Sequence, residues 1–280
     1  MCRSVLFVVS LALLLATQSF KSSAQTRVVQ ADDLVKQARA ALGGEARLRR
    51  VQSLSATGQF RRVFPDRERT GALELNWLSP DKFRQVETMG LAGDVQISLT
   101  SVLDGARAWK ESTVDTGSLP ITVTQPAGHA KPLMGNEQRQ LRASFARYLP
   151  ALLLAAATPG RFNDAGTAEV NGAPARVLDV RTAAGFTAQL YLDAKTYLPL
   201  MLSYRGRPPV IALGAQGGAE LDGAQETELR VRYADYRAVG GLLWPHRITT
   251  EADGRLLEEL ELKLYKLNPE EINPQSFGRE

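Results

Sequence analysis

The sequence predicts a mainly β fold with some helix: a half-open antiparallel β-barrel of about eleven strands, covered by helices. Three observations point to it. From Val51 onward, apolar and polar residues alternate in one run after another, the period of strands buried on one face. Tight-turn dipeptides separate the runs at Asp104-Gly105, Asn171-Gly172, Gly240-Gly241 and Asp253-Gly254, as antiparallel hairpins require. Only two stretches, residues 34–42 before Val51 and about 137–157 after it, carry a helical stripe instead. A large sheet with one apolar face hides that face by curling and by laying helices across it.

The chain begins with Arg3 ahead of an apolar run at residues 5–16 that only Ser10 interrupts. That run is too short to span a bilayer and reads as the h-region of a signal peptide. Ser22, Ser23 and Ala24 supply small residues for cleavage after Ala24, so residues 1–24 are expected to be removed and the mature chain to start at Gln25 in the periplasm. The alternative reading is an uncleaved N-terminal anchor. Cys2, the single cysteine, precedes the apolar run and is not placed as a lipid acceptor, so neither a lipid anchor nor a disulfide is expected.

Asp32 and Asp33 then offer an N-cap to LVKQARAAL, where Leu34, Val35, Ala38 and Leu42 share a face, and Gly43-Gly44 is the stop signal. In GALELNWLSPDKFRQVE, residues 71–87, Leu73, Leu75 and Trp77 alternate with more polar positions, Pro80 ends the run, and Phe83 opens the next strand. Residues 115–135, rich in Gly, Pro and Thr, read as a long connection. Asn136 is expected to cap the helical segment NEQRQLRASFARYLPALLLAAAT, whose stripe comprises Leu141, Phe145, Tyr148, Leu149, Leu152 and Leu153. Pro150 should kink or split this segment. Alternation returns after residue 160, pauses at a Gly/Ala-rich, mobile loop at about 206–226, and closes with three long strands. No composition break divides residues 25–280, which are expected to form one domain.

Charge and chemistry exclude several functions. The 34 basic and 30 acidic residues give a net charge of +4, and removing Arg3 and Lys21 with the leader leaves about +2. The arginines are scattered and not interleaved with aromatics, so no nucleic-acid partner is expected. His129 and His246 stand alone, without a second ligand at metal-binding spacing, so no metal and no cofactor is expected; His246 reads as a residue of the barrel rim. Ser79-Pro80-Asp81-Lys82 matches a Ser-x-x-Lys nucleophile motif in form only, since it lies between strands. Glu259 and Glu261 fall opposite Leu260, Leu262 and Leu264, and with Glu258 they read as the wet side of the last strand. The chain is not expected to be an enzyme.

The pattern G-x-L-x-L-x-W-x-x-P-x-x-F-R at residues 71–84, VLDGARAW at 102–109, LYLDAKTYLPLML at 190–202, YADYRAVGGLLWPHRI at 233–248 and NPEEINPQSF at 268–277 together resemble the LolA/LolB lipoprotein-localisation superfamily and outer membrane lipoprotein-sorting-like proteins. The resemblance spans most of residues 31–277. It implies an incomplete antiparallel barrel whose apolar concavity, closed by helices at its mouth, holds acyl chains of lipid or acylated protein cargo. On periodicity alone, Leu73, Leu75, Trp77, Phe83 and Trp109 are a filled core. The resemblance instead makes them ligand-binding, together with Ser79 at the mouth and Leu149, Leu152 and Leu153 on a lid. Ser79 occupies the position where LolA carriers place an arginine directly before the strand-ending proline, a departure that bears on a strict shuttle role. A monomeric carrier acting without covalent chemistry is the first expectation. An envelope protein-interaction or sensory module, with an envelope protein partner as in the RseB-type branch, is the second.

Overall fold

The computed structural model describes residues 31–92, 94–117, 130–155, 160–183, 185–208 and 225–278. Residues 1–30, which include the expected signal segment, lie outside the described residues, as do His129 and most of the loop at 206–226.

Two meanders build one antiparallel sheet. The first runs through β1 (Ser53–Val63), β2 (Glu68–Leu78), β3 (Lys82–Ala92), β4 (Val95–Asp104), β5 (Arg107–Asp115) and the two-residue β6 (Lys131–Pro132). The second runs through β7 (Gly160–Val170), β8 (Ala173–Thr182), β9 (Thr187–Asp193), β10 (Pro199–Gly206), β11 (Thr227–Val239), β12 (Leu242–Ala252) and β13 (Arg255–Leu267). The meanders join where β1 pairs with β13, and the sheet stays open between its edge strands β6 and β7. This is the half-open barrel expected, with thirteen strands where the sequence suggests about eleven. One of the additions, β6, lies inside the stretch read as a connection.

The turn dipeptides act as their chemistry dictates. Asn171 and Gly172, Gly240 and Gly241, and Asp253 and Gly254 all adopt positive φ, the geometry of tight hairpins whose twist matches the flanking strands. Gly58 marks a different event. The β1–β13 register shifts between Thr57 and Gly58, and a Cβ at Gly58 would stand 2.1 Å from the Glu261 carbonyl oxygen. The bulge also changes the phase of β13: Glu258, Leu260 and Leu262 face inward, yet beyond Lys263 the inward residue is Tyr265, and Leu264 is 51 % exposed. Strict alternation places Leu264 with Leu260 and Leu262, and the extra residue corrects that.

Four helices cover the concave face or its end. Helix α1 (residues 31–41) buries Leu34, Val35, Ala38 and Leu42 against the sheet. It stops at Gly43, where φ is +115° and a Cβ would meet the Gly241 carbonyl oxygen at 2.3 Å. A short α2 (Glu45–Arg50) follows, in a segment that reads from sequence only as a basic cluster. Helix α3 (Gly135–Tyr148) begins one residue before the expected cap Asn136, with Met134 at the cap position. Leu149 then leaves helical geometry, and Pro150 opens α4 (Pro150–Leu154) as its first residue, so proline splits the apolar segment in two. The Arg39 Nε donates to the Leu154 carbonyl at 2.7 Å, fastening α1 to the end of α4.

Candidate functional site

The concave face is apolar along most of its length. Trp77 pairs across the ladder with Leu54 on one side and with Phe83 on the other. Leu73, Leu75, Trp77 and Phe83 are each at most 2 % exposed and share one cluster with Leu149, Leu152 and Leu153 of the helical cover. Seven of the nine residues singled out from sequence are therefore brought together. Phe145 on α3 meets Phe83 edge to face at 5.8 Å. Every residue of α4 is buried, so PALLL lies against the sheet as an apolar wedge. The Trp77 indole Nε1 is buried without an acceptor among the described residues.

Two predicted residues lie elsewhere. Ser79 sits just past β2, half-buried, and its backbone N–H donates to the Gln52 carbonyl at 2.8 Å. Trp109 belongs to a separate small cluster with Val102 and Phe277. Its strand neighbour Ala108 is the residue that faces the main core.

Sequence reasoning misses the polar part of the interior. Arg62, Glu87 and Glu258 project from β1, β3 and β13 among apolar neighbours, and Arg147 and Tyr148 reach them from the last turn of α3. Arg62 donates to both carboxylate oxygens of Glu87, at 2.8 and 2.5 Å, and through Nε to Glu258 at 2.8 Å. Gln85 adds a bond to Glu87. From the cover, the Arg147 guanidinium lies 3.4 Å from Glu258, and the Tyr148 hydroxyl donates to the same carboxylate at 3.2 Å. The Tyr233 hydroxyl of β11 donates to the Arg147 carbonyl at 3.0 Å, satisfying a carbonyl at the helix end.

The electrostatics of this cluster are balanced, with two guanidiniums against two carboxylates. Burial alone would push the Glu258 carboxyl up. The adjacent Arg147 and Arg62 charges, with hydrogen bonds from Arg62 and Tyr148, outweigh burial and hold it below its ordinary value. Burial drives the Tyr148 hydroxyl upward, so it stays protonated and donates. Glu258 is fully buried, which corrects its reading as part of a wet face. The alternation that puts Glu259 and Glu261 outside puts Glu258 inside, in phase with Leu260 and Leu262. An acidic residue on the apolar phase, matched by Arg62 in phase with Phe60 and Glu87 in phase with Phe83, is the signal that could have found the cluster. His246, expected at the rim, is likewise buried at 5 % exposure and packs edge to face on Tyr265 at 5.2 Å.

Chemically, the site is an apolar trough covered by α3 and α4, with a buried charged fastening where α3 meets β13 and a more exposed one where Lys110 of β5 donates to Glu137 of α3 at 2.8 Å. No family model matches the chain, and no curated protein matches it. Solved structures do. A LolA superfamily protein from Nitrosomonas europaea is 12% identical over 89% of this chain and 97% of its own, with a TM-score of 0.51. An outer membrane lipoprotein-sorting protein domain from Vibrio parahaemolyticus is 13% identical over 88% of this chain and 97% of its own, with a TM-score of 0.53. At that level of identity the likeness speaks for architecture alone: this chain shares the fold of those two structures.

Proposed function

We propose that the protein is a non-catalytic periplasmic carrier or binder of lipid or acylated, lipoprotein-like cargo, exported by a signal peptide cleaved after Ala24. The observation that carries this reading is the contrast within the lid. Its contact with the sheet is apolar through Leu149 and α4, and its polar fastenings to the sheet lie on α3: Arg147 and Tyr148 to Glu258 at the inner end, and Lys110 to Glu137, Gln138 to the Ala106 carbonyl and Arg142 to the Gly105 carbonyl toward the other. With α3 held, release of the Arg39–Leu154 bond and displacement of α4 would expose the trough formed by Leu73, Leu75, Trp77 and Phe83. An acyl chain then takes the place of Leu149, Leu152 and Leu153.

The magnitudes are compatible. Each buried methylene is worth about 0.8 kcal/mol, so ten methylenes in contact supply roughly 8 kcal/mol before ordering costs. The Trp77 N–H, buried without a partner, costs about 1–3 kcal/mol in the closed form, and an ester carbonyl on the cargo would recover it. The departure at Ser79 also acquires a physical reading. Where the carrier pattern has an arginine on the sheet, this chain carries Arg147 on the lid and the matching carboxylate, Glu258, on the sheet.

The test is lipid extraction and mass spectrometry of freshly purified protein, beside titration with a fluorescent fatty acid. A bound acyl species and micromolar probe affinity are expected. If no lipid is extracted and no probe binds, the trough holds only its own side chains, and the envelope protein-interaction reading replaces the carrier.

A further inference from the structure

The outer face of the second meander carries a row of arginines at one end. Arg161 of β7 stands directly opposite Arg181 of β8, and Arg181 opposite Thr187 of β9. Arg205 of β10 faces Glu228 of β11. On these strands Val180, Ala188, Tyr204 and Leu229 point into the main core, so the arginines project from the other side, and all three are exposed. They border a shallow concavity of about 700 Å³.

The charge there is not internally neutralised. Arg161 and Arg181 have no ion pair or side-chain hydrogen bond among the described residues. The concavity holds three arginines against two carboxylates, and neither carboxylate pairs with Arg161 or Arg181: Asp179 accepts from Gln189 at 3.1 Å, and Glu228 accepts from Ser203 at 2.7 Å and from Arg230 at 3.1 Å. Like charges directly opposed on neighbouring strands destabilise a sheet. An anion lying between them removes that penalty, and the guanidinium fork matches the oxygens of a phosphate.

The exposure of these side chains decides which anion. A small free anion at a solvated, salt-screened pair gains little. A surface presenting many phosphates engages Arg161, Arg181 and Arg205 at once, and each arginine near an anionic leaflet raises partitioning about fivefold. β7 is an edge strand of the sheet, so this face can approach a flat layer. We propose that the arginine face of β7–β10 docks the protein on an anionic lipid surface, with a headgroup phosphate held between Arg161 and Arg181. The inference does not depend on what the trough holds.

The experiment is co-sedimentation of the mature chain, at low salt, with phosphatidylcholine vesicles and with vesicles one-third phosphatidylglycerol. Wild type is expected on the anionic vesicles only, and the variant R161Q/R181Q is expected to lose partitioning about 25-fold, two fivefold steps. A control with the same charge change, R237Q/R247Q on β11 and β12, should stay within about twofold of wild type by the same scale. R161Q/R181Q should melt no lower than wild type, because it relieves a like-charge pair. Equal losses in both variants would reduce the effect to net charge and overturn the site. Wild-type binding of soluble glycerol phosphate without vesicle association would overturn the lipid assignment, and so would association with neither.

Discussion

Replacing Glu258 by Gln keeps the size of the side chain and removes one of the two negative charges in the interior. The consequence is set by which partners remain. Arg62 keeps its two bonds to Glu87, whereas Arg147 loses its carboxylate and is left with the neutral hydroxyls of Tyr148 and Tyr204. Removing one member of a buried pair typically costs about 3–5 kcal/mol. The value here belongs near the lower end, about 3 kcal/mol, because Glu87 still neutralises Arg62. That is a large part of the stability of most domains. With a urea slope near the top of the usual range, about 3 kcal/mol per molar, the midpoint should fall by about 1 M. Equilibrium unfolding followed by fluorescence of the buried tryptophans reads it. A shift under about 0.3 M with an unchanged slope would refute the picture of a desolvated, paired Glu258. The double variant Arg147→Met with Glu258→Leu removes both charges and fills the space with apolar atoms. It should recover at least half the loss, since buried pairs rarely outperform well-packed apolar residues.

Other outcomes follow from the same contacts. Because the Glu258 carboxyl is held below its ordinary value of about 4.5, its contribution is full above that pH and is lost as pH falls through the folded-state value; wild-type stability should drop below about pH 4.5 more steeply than that of Glu258→Gln, measured as urea midpoint against pH. Leu152→Ala, on the fully buried α4, should cost about 2–5 kcal/mol in the same assay. Gly58→Val would drive a side chain into the Glu261 carbonyl, 2.1 Å from the new Cβ, and should give little soluble protein or a midpoint far below wild type. Trp77→Phe removes an unpartnered N–H and should change stability by no more than about 1.5 kcal/mol while weakening the fatty-acid probe; unchanged probe affinity would show that the indole is not a cargo contact.

The strands were legible because alternation and turn chemistry are local. Leu73, Leu75 and Trp77 declare their common face within five residues, and Asn171-Gly172 declares its turn within two. The helical cover was legible for the same reason, down to the split at Pro150. What escaped depends on phase or on distance along the chain. The bulge at Gly58 arises from two strands about 200 positions apart in sequence, so nothing near Leu264 announces that its phase has changed. The fastening is harder still, since Arg62 and Glu258 are 196 residues apart. Each alone looks like one more charged residue in a charged run: Arg62 follows Arg61, and Glu258 precedes Glu259.

Phase is nevertheless what separates them. Arg61 and Glu259 pair on the outer face at 3.0 Å with partial exposure, while their neighbours Arg62 and Glu258 pair on the inner face at 2.8 Å with almost none. The outer pair contributes little, because solvent screens it. The inner pair commits two desolvated charges to each other and, through Arg147, to the lid. A single-residue step along the strand therefore converts a surface ion pair into a buried attachment for the covering helices. A sequence reading that weighs a charged residue by its strand phase, before its composition, would find Arg62, Glu87 and Glu258 together. It would still not find Arg147, which lies on a helix whose rotation only the packed structure fixes.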